Sequence, residues 1–317
     1  MTAPTQNLWS RAALGSTGLQ VPQLCIGTAG LGELTNIFPY PVGEERALAT
    51  VRAILDGPIA FFDTGAGYGE SERRIGVVLR ERGGLPPGFV LSTKVDPDPA
   101  TRDYSGAQVR RSIERSLTLL DLDHLPLVYL HDPENTTFEQ AMAADGPVEA
   151  LLRCRDEGVI GHLGVAGGPI DLMTRYVQTG AFEVVLSHNR YTLLNTAASP
   201  LWDLAAQHGV AAVNAAPYGG GILSKGPSPD SWYAYKPARP DLLDRARRLA
   251  ELCARYETPL AAAALQFSLR DPRVASTVVG ISRPERLAET VAFARYPIPE
   301  AFWSEAATMR PDTEDLA

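Results

Sequence analysis

A regular alternation of short apolar runs and longer amphipathic segments constrains the fold of this chain more than any other feature. Eight apolar runs of five to eight residues recur between residues 23 and 280. Their nearly continuous apolar character is typical of strands buried on both faces, as in a parallel sheet. The runs are 23–27, 59–63, 89–94, 125–131, 161–166, 182–189, 210–217 and 275–280.

The segments between these runs have the period of helices. In 105–121, for example, apolar residues recur every three or four positions, which predicts a helix with one buried face. The helix over 71–84 is predicted to have Ser71 as its N-cap and to end in two glycines. The other predicted helices are 43–57, 146–157, 170–179, 200–208, 241–256, 260–269 and 284–294.

Eight strand-then-helix units in an unbroken chain predict an α/β fold of the closed (β/α)8 barrel type, forming a single domain over 1–317. The alternative is an open, doubly wound sheet. An open sheet that binds a dinucleotide usually has a Gly-x-Gly-x-x-Gly motif between its first strand and the following helix. The segment 27–32, GTAGLG, has the glycines but opens onto a loop, so its context does not fit.

Composition excludes several classes of protein. The net charge is −8 and no basic stripe is present, so we expect no nucleic-acid partner. No apolar run reaches the roughly 18 residues of a membrane span, and the N-terminus lacks the pattern of a signal peptide. The three cysteines are widely separated and odd in number, which favours a reducing cytoplasm. The sequence leaves the oligomeric state open.

Polar residues stand at the carboxyl ends of three adjacent predicted strands. Asp63, Lys94 and His131 end the second, third and fourth strands, and Tyr68 follows five residues after Asp63. Each has an ordinary structural alternative: a turn cap, a solvated lysine, a buried histidine and a packed tyrosine. Because active sites of such barrels lie at this end, their joint placement favours a catalytic site.

These four side chains have a common chemical use. A tyrosine has a pKa near ~10, and a nearby ammonium group is expected to lower it. A carboxylate beside the lysine keeps the lysine charged, and a histidine can orient a substrate oxygen. The set is therefore suited to moving a proton at a carbonyl or hydroxyl oxygen, a step that pairs naturally with hydride transfer involving a nicotinamide.

Seven motifs, in order along nearly the whole chain, resemble the aldo-keto reductases. The resemblance implies an N-terminal β-hairpin before the first barrel strand, helices beyond the eight repeats, and a catalytic tetrad of Asp63, Tyr68, Lys94 and His131. Tyr68 would be the general acid in reduction and the general base in oxidation. The motifs are ALGSTGLQVPQLCIGT (13–28), DTGAGYGESERRIG (63–76), LSTKV (91–95), VYLHDPE (128–134), GVIGHLGVA (158–166), APYGGGIL (216–223) and VVGISRPERLAET (278–290).

The resemblance also implies NADP or NAD as cofactor, lying across the barrel mouth, and from the histidine spacing we expect no metal. The five histidines include no close ligand pair. Arg283 and Arg286 favour NADP, because they could hold a 2′-phosphate, although SRPER (282–286) also fits an ordinary helix start. The implied cofactor-binding residues are Gly27, Thr28, Asp63, Asn189, Gly219, Gly220, Gly221, Leu223, Gly280, Ser282, Arg283 and Arg286.

Motif details resemble one branch of the family. The segments 187–195 and 214–223 are similar to those of L-fucose, D-threo-aldose and pyridoxal dehydrogenases, some of which oxidise a sugar hemiacetal to a lactone. Ala166 and Gly167 replace a Ser-Asn pair found in many members. The loop 224–241 is long enough to be functional, and its aromatic residues could cover the site. The candidate substrate-binding residues are Tyr40, Trp232 and Tyr235.

The sequence therefore predicts an NAD(P)-dependent oxidoreductase that transfers a hydride between nicotinamide and an aldose, or another small polar carbonyl or alcohol. Three alternatives remain open at this stage. The first is a general NADPH-dependent aldehyde or ketone reductase. The second is a cofactor-binding redox-sensor subunit like those associated with channels, and the third is a metal-dependent barrel hydrolase.

Overall fold

The computed structural model describes residues 11–34, 40–309 and 311–315. The strands are β1 (Ala12–Ala13), β2 (Gln20–Val21), β3 (Leu24–Gly27), β4 (Phe61–Asp63), β5 (Val90–Val95), β6 (Leu125–His131), β7 (Ile160–Gly167), β8 (Val184–His188), β9 (Ala211–Ala215), β10 (Trp232–Tyr233), β11 (Lys236–Pro237) and β12 (Val274–Gly280). Eight of these strands are parallel and close into a barrel in the order β12-β3-β4-β5-β6-β7-β8-β9, which confirms the predicted (β/α)8 fold.

Each of the nine predicted helices is present within one or two residues of its expected bounds, and α4, α8 and α12 were not predicted. Among the described helices, none is long and apolar enough to cross a bilayer. The helices are α1 (Glu44–Leu55), α2 (Ser71–Arg82), α3 (Gly106–Leu120), α4 (Phe138–Ala141), α5 (Pro147–Asp156), α6 (Ile170–Gln178), α7 (Ser199–Gln207), α8 (Ile222–Lys225), α9 (Pro240–Arg255), α10 (Leu260–Leu269), α11 (Glu285–Arg295) and α12 (Glu300–Ala306).

The N-terminal hairpin of β1 and β2 closes one end of the barrel. Its residues Leu14 and Val21 are fully buried and pack with side chains of the barrel interior such as Phe61 and Tyr129. The turn at Gly15 lies so close to β9 that an added Cβ would be 3.0 Å from the backbone nitrogen of Ala211. Since apolar side chains fill this end, the carboxyl ends of the strands provide the accessible face.

The predicted N-cap of the second helix is wrong. Glu70 occupies the cap position of α2, without a side-chain capping bond, and Ser71 is the first helical residue. The buried Ser71 hydroxyl instead donates to the carbonyl oxygen of Thr28 at 3.1 Å and lies 3.1 Å from the hydroxyl of Thr64. These bonds tie the start of α2 to the barrel rim beside Asp63, which a purely local capping rule does not consider.

The segment Pro311–Asp315 forms a strap across the loop that follows β8. Asp315 accepts a hydrogen bond from Arg190 Nε at 2.5 Å and from the backbone N–H of Ile170 at 2.6 Å. The Arg190 side chain is only 6% exposed, so the Asp315 carboxylate is a charge partner for a guanidinium group that has little access to water. Asn195 donates to the carbonyl oxygen of Glu314 at 2.9 Å and completes the attachment.

We expect Asp315→Ala to lower the free energy of unfolding by about 1–3 kcal/mol, because it leaves a buried guanidinium without its carboxylate. Urea unfolding measures this difference. Glu314→Ala is the matched control, since Glu314 is exposed and its described hydrogen bonds are made by its backbone. Equal stability of the two variants would show that the strap does not depend on the Arg190–Asp315 pair.

Candidate active site

A buried ion pair forms the floor of the candidate site. Lys94 Nζ lies 2.5 Å from Asp63 Oδ2, and the two side chains are 2% and 5% exposed. The ammonium group also donates to the carbonyl oxygen of Thr64 at 2.6 Å, and the Ser92 hydroxyl donates to Asp63 Oδ1 at 2.8 Å. Adjacent strands β4 and β5 fix both partners, so the positions of the two charges follow from the barrel itself.

The loop between β4 and α2 brings Tyr68 over this ion pair. Lys94 Nζ lies 4.6 Å from the centroid of the Tyr68 ring. Gly69 adopts a left-handed φ of 51°, and Gly32 packs so closely that an added Cβ would be 2.0 Å from the Tyr68 carbonyl oxygen. The glycines around Tyr68 therefore allow a tight turn and a close backbone approach that other residues would block.

The pKa of Tyr68 is shifted in the direction opposite to the prediction. Burial, and after it the negative charge of Asp63, raises the pKa of Tyr68 well above its ordinary value. The Lys94 ammonium lies over the ring and is hydrogen-bonded to Asp63 and to Thr64. The expectation that Lys94 lowers this pKa is therefore wrong for this structure, and Tyr68 is a neutral phenol that can donate a proton.

His131 completes the group of four predicted residues. Its ring lies edge-on to the Tyr68 ring, with the centroids 5.7 Å apart and an interplanar angle of 83°. The Tyr104 hydroxyl donates to the His131 carbonyl oxygen at 2.6 Å and accepts from its backbone N–H at 3.0 Å. The structure thus brings Asp63, Tyr68 and Lys94 together with His131 at the carboxyl end of the barrel.

Two carboxylates beside His131 were missed by the sequence analysis. Asp96 Oδ1 accepts a hydrogen bond from His131 Nδ1 at 2.6 Å, and Asp132 Oδ1 lies 3.6 Å from Nε2. The signal that could have found them is their position: one follows β5 directly and the other follows β6 directly. The rule that selected Lys94 and His131 applies equally to these neighbours.

A second histidine, His188 at the end of β8, lies at the same rim. Burial lowers its pKa to about 4, so it is neutral at physiological pH. Its Nδ1 lies 3.1 Å from Asn189 Nδ2, an amide donor, so Nδ1 acts as the acceptor. The Tyr235 ring lies edge-on to His188 with the centroids 5.9 Å apart. His188 therefore links the predicted amide Asn189 to the predicted substrate residue Tyr235.

Three consecutive glycines after β9 form a backbone cradle. Gly219, Gly220 and Gly221 have φ values of 56°, 77° and 108°, which side-chain-bearing residues rarely adopt. The Tyr233 ring packs against Gly219 so closely that an added Cβ would be 2.3 Å from it. Such a backbone fits the approach of a pyrophosphate group, and the predicted role of the glycines is compatible with the structure.

Leu223, which was also predicted to bind the cofactor, lies in the hydrophobic core. Its side chain is fully buried in the cluster that also contains Tyr233 and Leu242, and its backbone N–H donates to the carbonyl oxygen of Tyr218 at 3.2 Å. The residue therefore supports the glycine cradle from within the core.

The residues predicted for the adenosine end lie at the end of β12 and directly after it. An added Cβ at Gly280 would have no heavy atom within 4 Å, so this strand end borders open space. Arg283 and Arg286 both bond to one carboxylate, Glu289, at 3.1 Å and 2.8 Å. Two guanidinium groups sharing one carboxylate leave net positive charge here, which fits a phosphate.

Gly27 and Thr28 lie at the end of β3, next to Asp63. An added Cβ at Gly27 would be 3.0 Å from Val278 Cγ1, so a larger residue would press against the neighbouring strand β12. The buried Thr28 hydroxyl donates to the backbone oxygen of Asp63 at 2.9 Å and accepts from Ser71 at 2.9 Å. Thr28 thus positions the backbone of Asp63.

The structure gives a reason for the glycine at position 167. An added Cβ would be 2.9 Å from Pro133 Cδ, 3.0 Å from Met173 Sδ and 3.1 Å from Glu134 Oε2. A polar side chain that contacts a nicotinamide amide therefore does not fit here. Asn189, which is 1% exposed at the next strand end, is the amide that remains near this part of the rim.

The three predicted substrate residues are exposed but lie in different places. Tyr40, Trp232 and Tyr235 are 40%, 54% and 56% exposed. A Cβ added at Gly30 would lie 3.7 Å from the Tyr40 hydroxyl and 3.5 Å from Ser282 Cβ, which places Tyr40 near the end of β12. The Trp232 backbone lies beside Gly220, whereas the Tyr235 ring packs against His188.

No group of three or more histidine, cysteine, aspartate or glutamate residues within the described ranges could hold a metal ion. The chemistry of the rim is instead that of an ion pair, a phenol and an imidazole flanked by carboxylates. Together with the glycine cradle, this arrangement fits proton transfer at a substrate oxygen beside a nucleotide-like ligand.

The match to known sequences agrees with this geometry. Residues 23–309 match the Aldo/keto reductase family. Because the match covers most of the chain, including every barrel strand, the chain belongs to the aldo/keto reductase family of oxidoreductases.

Characterised relatives are similar over most of their length. The chain is 33% identical to D-threo-aldose 1-dehydrogenase of a Pseudomonas species, over 94% of this chain and 97% of that protein. It is 31% identical to L-galactose dehydrogenase of Arabidopsis thaliana, over 88% and 86%. It is 30% identical to pyridoxal 4-dehydrogenase of Microbacterium luteolum, over 93% and 95%. The predicted resemblance to this branch is confirmed.

A solved structure shares the fold. The holo form of an aldo-keto reductase from Bacillus halodurans superimposes with a TM-score of 0.78 and is 22% identical, with 96% of this chain and 97% of that chain covered. At this identity the likeness supports the barrel architecture alone.

Proposed function

We propose that this protein transfers a hydride between a nicotinamide cofactor and the carbonyl or hydroxyl carbon of an aldose, with Tyr68 as the proton donor or acceptor. The observation that carries the proposal is the convergence of Tyr68, His131 and the Lys94–Asp63 pair at one barrel rim. The relatives that act on aldoses support the substrate class.

Each of these four residues has its own role in the proton transfer. Tyr68 is a neutral phenol and can donate a proton to the oxygen of a carbonyl as that oxygen gains charge. His131 orients the same oxygen, and the Lys94–Asp63 pair fixes a positive charge beneath the Tyr68 ring. The cofactor, when bound, supplies the hydride or accepts it. In the direction of oxidation, Tyr68 takes the proton back.

NADP is the favoured cofactor. Arg283 and Arg286 share one carboxylate, Glu289, so the pair keeps a net positive charge that suits a 2′-phosphate. Initial rates with both cofactors test this preference directly. A kcat/KM for NAD equal to or above that for NADP would reverse it.

Asp132 supports a hydroxyl-rich substrate. Its side chain is 38% exposed, and Oδ1 lies 3.6 Å from His131 Nε2, the ring nitrogen that Asp96 leaves available. A substrate oxygen bound at Nε2 would place its neighbouring carbon near this carboxylate. A hydroxyl group on that carbon could donate to Asp132, whereas a simple aldehyde has no such donor.

We expect Asp132→Asn to lower kcat/KM for aldoses about 10- to 100-fold more than for a small aldehyde without hydroxyl groups, because a charge-assisted hydrogen bond is lost. Assaying both substrates at one pH cancels any change in the charge of His131. Glu134→Gln in the same turn is the control. If kcat/KM falls by the same factor for both substrates, Asp132 does not bind the hydroxyl group of the aldose.

The overall proposal is tested by following nicotinamide absorbance with purified protein and a panel of aldoses and aromatic aldehydes. Turnover with aldoses supports it, and turnover confined to simple aldehydes and ketones would support a general reductase instead. Tight cofactor binding without turnover on any substrate would support the sensor role. We also place the protein in the cytoplasm, in keeping with three cysteines that are free and buried.

A further inference from the structure

One carboxylate connects two separate parts of the candidate site. Asp96 follows β5, two residues after Lys94, and its side chain is 18% exposed. Its Oδ1 accepts from His131 Nδ1 at 2.6 Å, and its Oδ2 accepts from the backbone N–H of Gly67 at 2.7 Å. The two oxygens therefore hold His131 on β6 and the backbone of Gly67, the residue before Tyr68.

The close packing of Gly67 shows that this contact is built into the loop. An added Cβ at Gly67 would lie 2.9 Å from both Cγ and Oδ2 of Asp96, which is closer than a real side chain tolerates. The absence of a side chain at this position thus allows the carboxylate to reach the backbone N–H.

Titratable groups on several neighbouring elements face the His131 ring and influence its pKa. Burial lowers the pKa of His131, but Asp96 and Asp132 outweigh this effect and raise the pKa above its ordinary value. The pKa of Asp96 is correspondingly lowered despite burial, chiefly by His131. The titratable groups facing the ring are Asp96 and Lys94 at β5, Asp132 and Glu134 after β6, Tyr68, Tyr104 and the neutral His188.

We propose that Asp96 is a positioning residue for the reaction: it holds His131 as an imidazolium, with Nε2–H free to donate to the substrate oxygen, and it fixes the loop that carries Tyr68. Nothing in the reaction assigned above requires this residue. The inference rests on the proposed function, because it takes His131 to contact the substrate.

The charge on His131 decides which direction it assists. With Asp96 accepting from Nδ1–H, a neutral ring has no proton on Nε2 and can only accept a hydrogen bond there. A carbonyl oxygen needs a donor, and only the imidazolium provides one at Nε2. The rate of carbonyl reduction should therefore be highest while His131 is protonated and should fall as the pH rises through the pKa of His131.

The experiment compares wild type with Asp96→Asn, which keeps the shape of the side chain and removes its charge. The limb of the pH profile of kcat/KM for reduction that reports His131 should move to lower pH by about one to three units. A merely structural role would lower the rate without moving this limb. Asp98→Asn is the control, because Asp98 caps the turn at 98–101 and should leave the limb in place.

A second measurement needs neither turnover nor a folded variant. Titration of the wild-type His131 ring by nitrogen-detected NMR should give a midpoint above the reference value of about 6.5. A midpoint at or below that value would overturn the inference, as would a limb that does not move in Asp96→Asn. If wild type shows no nicotinamide-dependent turnover, the proposed function fails, while the titration still decides the state of His131.

Discussion

Tyr68→Phe should reduce turnover by about 10²- to 10⁴-fold, the usual contribution of a positioned proton donor or acceptor. The change removes one hydroxyl group and keeps the ring that packs over Lys94 and against His131. Cofactor affinity should be unchanged, because none of the residues assigned to the cofactor depends on this hydroxyl. Single-turnover kinetics and cofactor titration measure the two quantities separately.

The control for this variant is Tyr104→Phe, which removes a hydroxyl hydrogen-bonded to the backbone of His131 and Val95. It should lower stability more than it lowers chemistry. Full activity in Tyr68→Phe would remove this residue from the mechanism. The raised pKa of Tyr68 adds a second expectation: oxidation, which needs the phenolate, should speed up as the pH rises toward alkaline values.

Lys94→Met should abolish activity and also destabilise the fold by about 3–5 kcal/mol, because it leaves the Asp63 carboxylate buried without its cation. The two side chains are almost inaccessible, so water cannot replace the missing partner. Urea unfolding gives the change in free energy, and a nicotinamide assay gives the loss of turnover.

The double variant Asp63→Leu with Lys94→Met separates the two effects. Since an apolar pair can replace a buried ion pair with little loss, the double variant should regain most of the stability but none of the activity. A single variant as stable as wild type would mean that the pair is not closely coupled. Recovered turnover in the double variant would mean that the ion pair is not needed for catalysis.

The barrel could be predicted from the sequence because the pattern of an apolar run followed by a helical segment occurs eight times. Each of the eight apolar runs became a strand, and the helical segments followed the same local patterns of period and glycine termination. The hairpin of β10 and β11 carried no such evidence. Its turn places Ala234 and Tyr235 at positive φ, positions where glycine or asparagine is expected.

Asp63, Lys94 and His131 could be chosen because a strand end fixes where a side chain lies, and Tyr68 because it lies in the loop that follows Asp63. The pKa values of the four residues could not be predicted, since a pKa depends on burial and on the position of each neighbouring charge. Tyr68 shows this most clearly: Lys94 is a neighbour, as expected, yet burial and Asp63 dominate. The bridging role of Asp96 depends on a loop geometry that no local pattern indicates.

The most direct test of the central proposal is hydride tracing with an aldose deuterated at its anomeric carbon. Wild-type protein and oxidised cofactor should transfer the deuterium to the nicotinamide ring, as detected by mass spectrometry, and Tyr68→Phe should transfer it about 10²- to 10⁴-fold more slowly. Oxidised sugar without label on the nicotinamide, or no label transfer from any aldose while the cofactor is bound, would contradict the proposal.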